Sequence, residues 1–150
     1  MGKALVIGVD LGGTKVATAA ADLDGLLLAK VIEPTRPERG IGAVIETIVD
    51  TIKEAATSAG ASKSDIRSVG IGSPGPIDPK AGVVVFAPNL MWHNVPIVEL
   101  LESELDLPVC LENDANVAAL GEYRFGAGRK SSNMVYITVS TGVGGGLILD

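Results

Sequence analysis

Two glycine turns and one acidic turn hold the residue types in this sequence that handle phosphates and protons. In Asp10-Leu11-Gly12-Gly13-Thr14-Lys15 a carboxylate closes an apolar run and is followed by two glycines, a hydroxyl and a lysine. Glycines at a strand-to-strand turn let backbone N–H groups converge on an anion without a helix, and a threonine hydroxyl adds a donor. Asp10, at the end of the first strand, would face the same opening and could hold a magnesium ion through water. Taken by itself the motif is equally a plain Gly-Gly hairpin. A second stretch, Ser140-Thr141-Gly142-Val143-Gly144-Gly145-Gly146, follows the same plan of apolar strand, hydroxyl residue, glycine turn and second strand. Ile7 and Ile137 head the two copies, 130 positions apart. Two hydroxyl-bearing glycine hairpins, one from each half of a duplicated fold, are what gripping a polyphosphate from both sides requires.

The acidic turn is Glu112-Asn113-Asp114-Ala115, where an apolar strand gives way to a helix. That position points side chains into the crevice beyond a sheet edge, and the helix dipole favours an ionised carboxylate in the first turn. An Asn-Asp pair there is also an ordinary helix cap. Beside two phosphate turns, Asp114 becomes a candidate general base for a hydroxyl attacking a phosphate, a role that contributes on the order of 10² to 10⁴ in rate. The rigid run Ser73-Pro74-Gly75-Pro76 and the amides Asn89 and Asn113 offer polar groups suited to a polyhydroxylated ligand, against the plainer reading of turn chemistry. Other motifs fail on context. Gly70 to Gly75 spells a dinucleotide fingerprint, but Pro76 and Pro79 stand where its helix should begin. Gly8 to Lys15 nearly spells a P-loop, yet Thr14 occupies the lysine position. One histidine, His93, gives no nucleophilic triad. Trp92 reads as a packed anchor, His93 as a surface loop residue and Cys110 as a small core residue.

The elements that must hold these residues follow from spacing. Apolar runs at Ala4 to Val9, Val16 to Ala21 and Leu26 to Ile32, broken by Gly12-Gly13 and Asp24-Gly25, predict three consecutive strands. From Ile41 the apolar positions 41, 44, 45, 48, 52, 55 and 56 take a helical rhythm that should stop at Gly60. Ser62 to Asp65 reads as a cap and short turn, Val69 to Gly72 and Gly82 to Phe86 as strands, and Ala87 to Pro96 as a polar and aromatic loop. Ile97 to Leu105 is then a helix, Pro108 to Leu111 a strand, and Asn113 to Tyr123 a helix ended by Arg124, Gly126 and Gly128. Arg129 to Asn133 is the clearest linker, which predicts a domain over 1–132 and, over 133–150, the first hairpin of a second, truncated one. A lone hairpin is barely stable in water, so residues 133 to 150 must either dock on the first domain or belong to a larger one.

The composition of the 150 residues, 47% hydrophobic and 20% charged with 19 glycines, is that of a folded domain rather than a disordered tail. A single cysteine excludes an intrachain disulfide and fits a reducing, cytoplasmic setting. The net charge of −6 with scattered basic residues argues against nucleic acid as a partner. No run approaches the roughly 18 apolar residues of a membrane span, so no membrane partner is expected.

Taken together, these residues resemble the ROK family of sugar kinases and repressors, within the actin-like ATPase superfamily, along the whole chain. Asp10 to Lys15 resembles its first phosphate motif, Gly70 to Pro76 its Pro-Gly sugar loop, Leu111 to Glu122 its signature, and Ser140 to Gly146 its second phosphate motif. Ala87-Pro88-Asn89-Leu90 with Trp92, and Gly121 to Gly128, look most like the glucokinase branch. The resemblance implies an α/β fold of RNase H-like type, a mixed sheet with three antiparallel N-terminal strands flanked by helices. It implies ATP-dependent phosphorylation of a hexose, glucose foremost, at the 6-hydroxyl, with Asp114 taking the proton. Pro74, Gly75, Asn89, Asn113 and Asp114 would contact the sugar. Asp10, Gly12, Gly13, Thr14, Lys15, Thr141 and Gly142 would surround the ATP phosphates, with magnesium on Asp10 through water. Zinc is expected only in a missing C-terminal part, the 150 residues alone should be inactive, and the full-length protein should be a homo-oligomer. The alternatives are a sugar-responsive ROK transcriptional regulator, whose DNA-binding segment would precede Asp10, and a kinase for fructose, mannose, allose or an N-acetylhexosamine.

Overall fold

Strict alternation along the first strand sets the architecture. In β1 (Leu5–Leu11) the side chains of Leu5, Ile7, Val9 and Leu11 are buried, while Gly8 and Asp10 lie exposed on the opposite face. The computed structural model describes residues 4–139 and 142–150. Hairpin turns lead from β1 to β2 (Lys15–Asp22) and β3 (Leu27–Pro34), both antiparallel to their predecessors. Helix α1 (Ile41–Ser58) buries Val44, Ile45, Ile48, Val49, Ile52, Ala55 and Ala56 against this sheet and gives way at Ala59 and Gly60, the latter with a φ of +70°. A buried polar contact between this helix and the sheet is satisfied internally, Thr18 Oγ1 lying 2.8 Å from Thr51 Oγ1. A short 3-10 turn with a capping box, Ser62 to Asp65, then starts β4 (Ile66–Ser73).

β4 runs parallel to β1 and, on its other side, to β8 (Val109–Asn113), giving one mixed sheet of order β3-β2-β1-β4-β8. The excursion between β4 and β8 holds a small antiparallel sheet of β5 (Ile77–Asp78), β6 (Val83–Ala87) and β7 (Trp92–Val95), followed by α2 (Ile97–Leu105). The expected loop from Ala87 to Pro96 is therefore a 3-10 turn over Pro88–Leu90 and a strand. Positive φ angles at Met91 (56°) and Asn94 (50°) let so short a segment turn back and bury Trp92 and Val95, a device that residue types without glycine do not announce.

Helix α3 (Asp114–Phe125) lies over the far face of the sheet at β4 and β8, with Val117 beside Gly72. Cys110, expected in the core, is exposed, because β8 is an edge strand and Cys110 points to the face opposite Leu111. Strands β9 (Met134–Val139) and β10 (Val143–Ile148) form a separate hairpin docked on α3. Glycine makes the docking possible: a Cβ on Gly144 would lie 3.3 Å from the Ala115 Cβ, and one on Gly146 would lie 2.5 Å from the Ala119 Cβ. The opposite face of the hairpin leaves Val135, Ile137, Val139, Val143 and Leu147 between 64% and 79% exposed. Among the described residues no helix is long and apolar enough to cross a membrane.

Candidate functional site

Because β1, β4 and β8 are parallel, their C-terminal ends share one edge of the sheet, and the polar residues gather there. Asp10 pairs with Gly72, Gly72 with Glu112, and Ser73 with Asn113. Gly72 has no side chain to separate its neighbours, and its Cβ position is 3.5 Å from the Asp114 Cα. Asp10 and Asp114 consequently share one opening. The surrounding protein partly desolvates the Asp10 carboxylate, which raises its pKa above the ordinary aspartate value. Repulsion from Asp114 raises it further, while Lys15 and Lys30 pull the other way.

The first glycine turn lies at the same edge. The Gly12 N–H donates to the Lys15 carbonyl (2.9 Å), whereas the N–H groups of Gly13 and Thr14 have no partner among the described residues. Thr14 is exposed, so its hydroxyl faces solvent too. These are the open donors of an anion nest. Gly13 also rests on the Pro88–Leu90 turn: a Cβ there would fall 2.7 Å from the Asn89 Cβ and 2.8 Å from the Asn89 carbonyl oxygen. The predicted phosphate turn and a predicted sugar residue are thus in direct contact, a juxtaposition between segments some 75 positions apart that sequence spacing does not reveal.

Helix α3 is capped from both sides. Asn113 Oδ1 accepts from the N–H groups of Ala115 (3.0 Å) and Asn116 (3.4 Å), and its Nδ2 makes no hydrogen bond among the described residues. Glu112 Oε1 accepts from the Asn113 N–H (2.8 Å) and from Asn116 Nδ2 (3.0 Å), tying strand end to helix start. Asp114 Oδ1 accepts from the Ala115 N–H (2.8 Å), and the residue is exposed. Cap and candidate base are therefore one structure, and the two readings of the Asn-Asp pair do not compete. Glu112 and Asn116 are absent from the predicted site; their four-residue spacing across the junction of β8 and α3 is the signal that could have found them.

Pro74 and Gly75 follow β4 half-buried, Gly75 with a φ of +87° and the Phe86 carbonyl oxygen occupying the place of a Cβ, which pins this loop to β6. Asn89 is exposed in its 3-10 turn. Gly142 is exposed just before β10. The docking order, Gly146 on Ala119 and Gly144 on Ala115, runs that hairpin end toward the start of α3. Thr141 lies outside the described residues. The structure thus brings Asp10, Gly12, Gly13, Thr14, Lys15, Asn89, Asn113 and Asp114 to one open surface rather than a closed cavity. A cavity of about 680 Å³ between α2 and the outer edge of β8, lined by Lys80, Val98, Glu102 and Cys110, is away from it. Among the described residues no group of three or more His, Cys, Asp or Glu side chains could hold a metal ion.

A five-stranded mixed sheet of this order, with a glycine turn after its first strand and carboxylates at the ends of its parallel strands, defines an RNase H-like lobe of the actin-like ATPase type. The chain belongs to the ROK family, whose family model matches residues 6–150. It is similar to a glucokinase of Thermotoga maritima, 45% identical over 149 residues that make up 99% of this chain and 45% of the relative. It is 32% identical over 145 residues to a xylose repressor of Caldicellulosiruptor bescii, covering 97% of this chain and 36% of that one. The crystal structure of a ROK family glucokinase from Streptomyces griseus in complex with glucose and AMPPNP matches with a TM-score of 0.87 and 41% identity, over 97% of this chain and 44% of the other. The chain spans less than half the length of these relatives.

Proposed function

We propose that this chain is the N-terminal lobe of an ATP-dependent hexose kinase that phosphorylates glucose at its 6-hydroxyl. The observation that carries the reading is the shared opening of Asp114, Asp10 and the free N–H groups of Gly13 and Thr14. Asp114 accepts the proton of the attacking hydroxyl, and the Asn113 amide donates to a sugar oxygen. Asn89 and the Pro74-Gly75 loop hold the rest of the sugar. Gly13, Thr14 and Lys15 receive the phosphates of ATP, joined from the second hairpin by Thr141 and Gly142. Magnesium, held through water on Asp10, would neutralise charge on the transferring phosphoryl group when bound. Residues 133–150 begin the second domain, whose core covers the apolar face of the β9–β10 hairpin, and closure of the two lobes excludes water. With a single cysteine suited to a reducing compartment, the role proposed is cytoplasmic and glycolytic.

The xylose repressor relative supports a second reading, a sugar-responsive regulator that binds the hexose without turning it over. The higher identity to a glucokinase favours the kinase. A coupled ADP-release assay of the full-length protein over a panel of hexoses separates the two. Glucose-dependent ADP release is expected, with Asp114→Ala lowering it by about 10² to 10⁴ while the protein still melts in one cooperative transition. Absence of ADP release with every hexose would overturn the kinase, and near wild-type turnover by the variant would overturn the base.

A further inference from the structure

Thr35, immediately after β3, carries no residue role in the reading above, yet it is 1% exposed and makes two hydrogen bonds to the first glycine turn. Its hydroxyl donates to the Gly12 carbonyl at 2.6 Å, and its N–H donates to the Thr14 carbonyl at 3.0 Å. In a planar trans peptide the C=O and the following N–H point in opposite directions. Holding the Gly12 carbonyl toward Thr35 therefore aims the Gly13 N–H away from it, into the opening. The Thr14 carbonyl is turned back in the same way. Both of these oxygens, which would repel an anion, face the protein, and the Gly13 N–H that Thr35 so aims has no partner among the described residues. A Gly-Gly turn has no such preference of its own, since glycine peptides rotate readily.

We infer that Thr35 is a positioning residue for the nucleotide phosphates, selecting the peptide orientations that turn Gly12-Gly13-Thr14 into an anion site. The inference rests on the assignment of that turn to phosphate. Thr35→Val keeps the shape and the N–H but deletes the hydroxyl, freeing the Gly12 carbonyl. In the full-length protein it should raise KM for ATP and the calorimetric Kd for MgADP about tenfold, the scale of one buried hydrogen bond, while KM for the hexose stays within twofold. Thr35→Ser, which restores the hydroxyl, should recover nucleotide affinity. A Thr35→Val protein with wild-type MgADP affinity, equal loss of affinity for both substrates, or failure of Thr35→Ser to rescue would each overturn the positioning role. If Thr35→Val does not fold, Thr35→Ala reports the same loss in less space. MgADP binding without hexose phosphorylation in the wild type would refute the kinase and still leave Thr35→Val decisive for the turn. A wild-type protein that binds no nucleotide would refute both.

Discussion

Asp10 shows how a candidate site residue is held at some cost to the fold. Its folded-state pKa lies above the ordinary value because the carboxylate is partly desolvated and faces Asp114. The protonated form is thus the one the fold favours. That contribution to stability is complete in acid below the ordinary aspartate pKa and is lost as pH rises through the raised one, so at neutral pH ionised Asp10 works against the fold. Asp10→Asn should therefore melt slightly above wild type at pH 7 without ligand, with the advantage vanishing in acid, and should reduce ADP release in the full-length protein at least 10²-fold. Melting curves from pH 3 to 7 check the sign, and a variant less stable at pH 7 would show that no repulsion is relieved. The carboxylate and glycines of Asp10 to Lys15 were legible in sequence because their chemistry is local. The opposition of Asp10 and Asp114 was not, since it depends on the register of three strands around a glycine.

At the scale of elements, the glycines divide into those that hold a contact and those that do not. Gly13 lies where a Cβ would meet both the Cβ and the carbonyl oxygen of Asn89, so Gly13→Ala must displace the 3-10 turn. Because that turn carries Asn89, proposed to hold the sugar, KM should rise for hexose and ATP together, by about tenfold each. Thr35→Val should move the ATP term alone. Gly8 is the control, since a Cβ there meets nothing within 4 Å in the middle of β1. Gly8→Ala should leave both KM values unchanged and keep or raise the melting temperature, as alanine loses less backbone entropy on folding. Equal kinetics for Gly13→Ala and Gly8→Ala would deny the contact any role. The periodicity of α1 and α2 was readable because each buries one face, and α2 runs over the predicted Ile97–Leu105. Strand β7 was not, because its four residues show only Trp92 and Val95 to the core and depend on positive φ angles at Met91 and Asn94.

On the scale of the whole molecule, the repeat 130 positions apart foretold the second hairpin, but what each of its faces touches was beyond local pattern. One face is committed to α3 through Gly144 and Gly146. The other carries Val135, Ile137, Val139, Val143 and Leu147, a contiguous apolar patch of the kind that marks an unfilled interface. If that patch is the floor of a second domain's core, the 150-residue chain alone should bind the dye ANS and associate as its concentration rises. It should also release no ADP with glucose. Replacing Val135 and Ile137 by Thr keeps strand propensity while removing apolar surface. That double variant should bind less dye and sediment closer to the monomer, with β9 and β10 still docked, as read from amide exchange on Gly144 and Gly146. In the full-length protein the same two substitutions should instead be destabilising by about 2 kcal/mol or more, because there the groups would be buried. Opposite signs in the two contexts are the signature of a core face; a full-length protein indifferent to both changes would assign the patch to solvent and refute the domain division at residue 133.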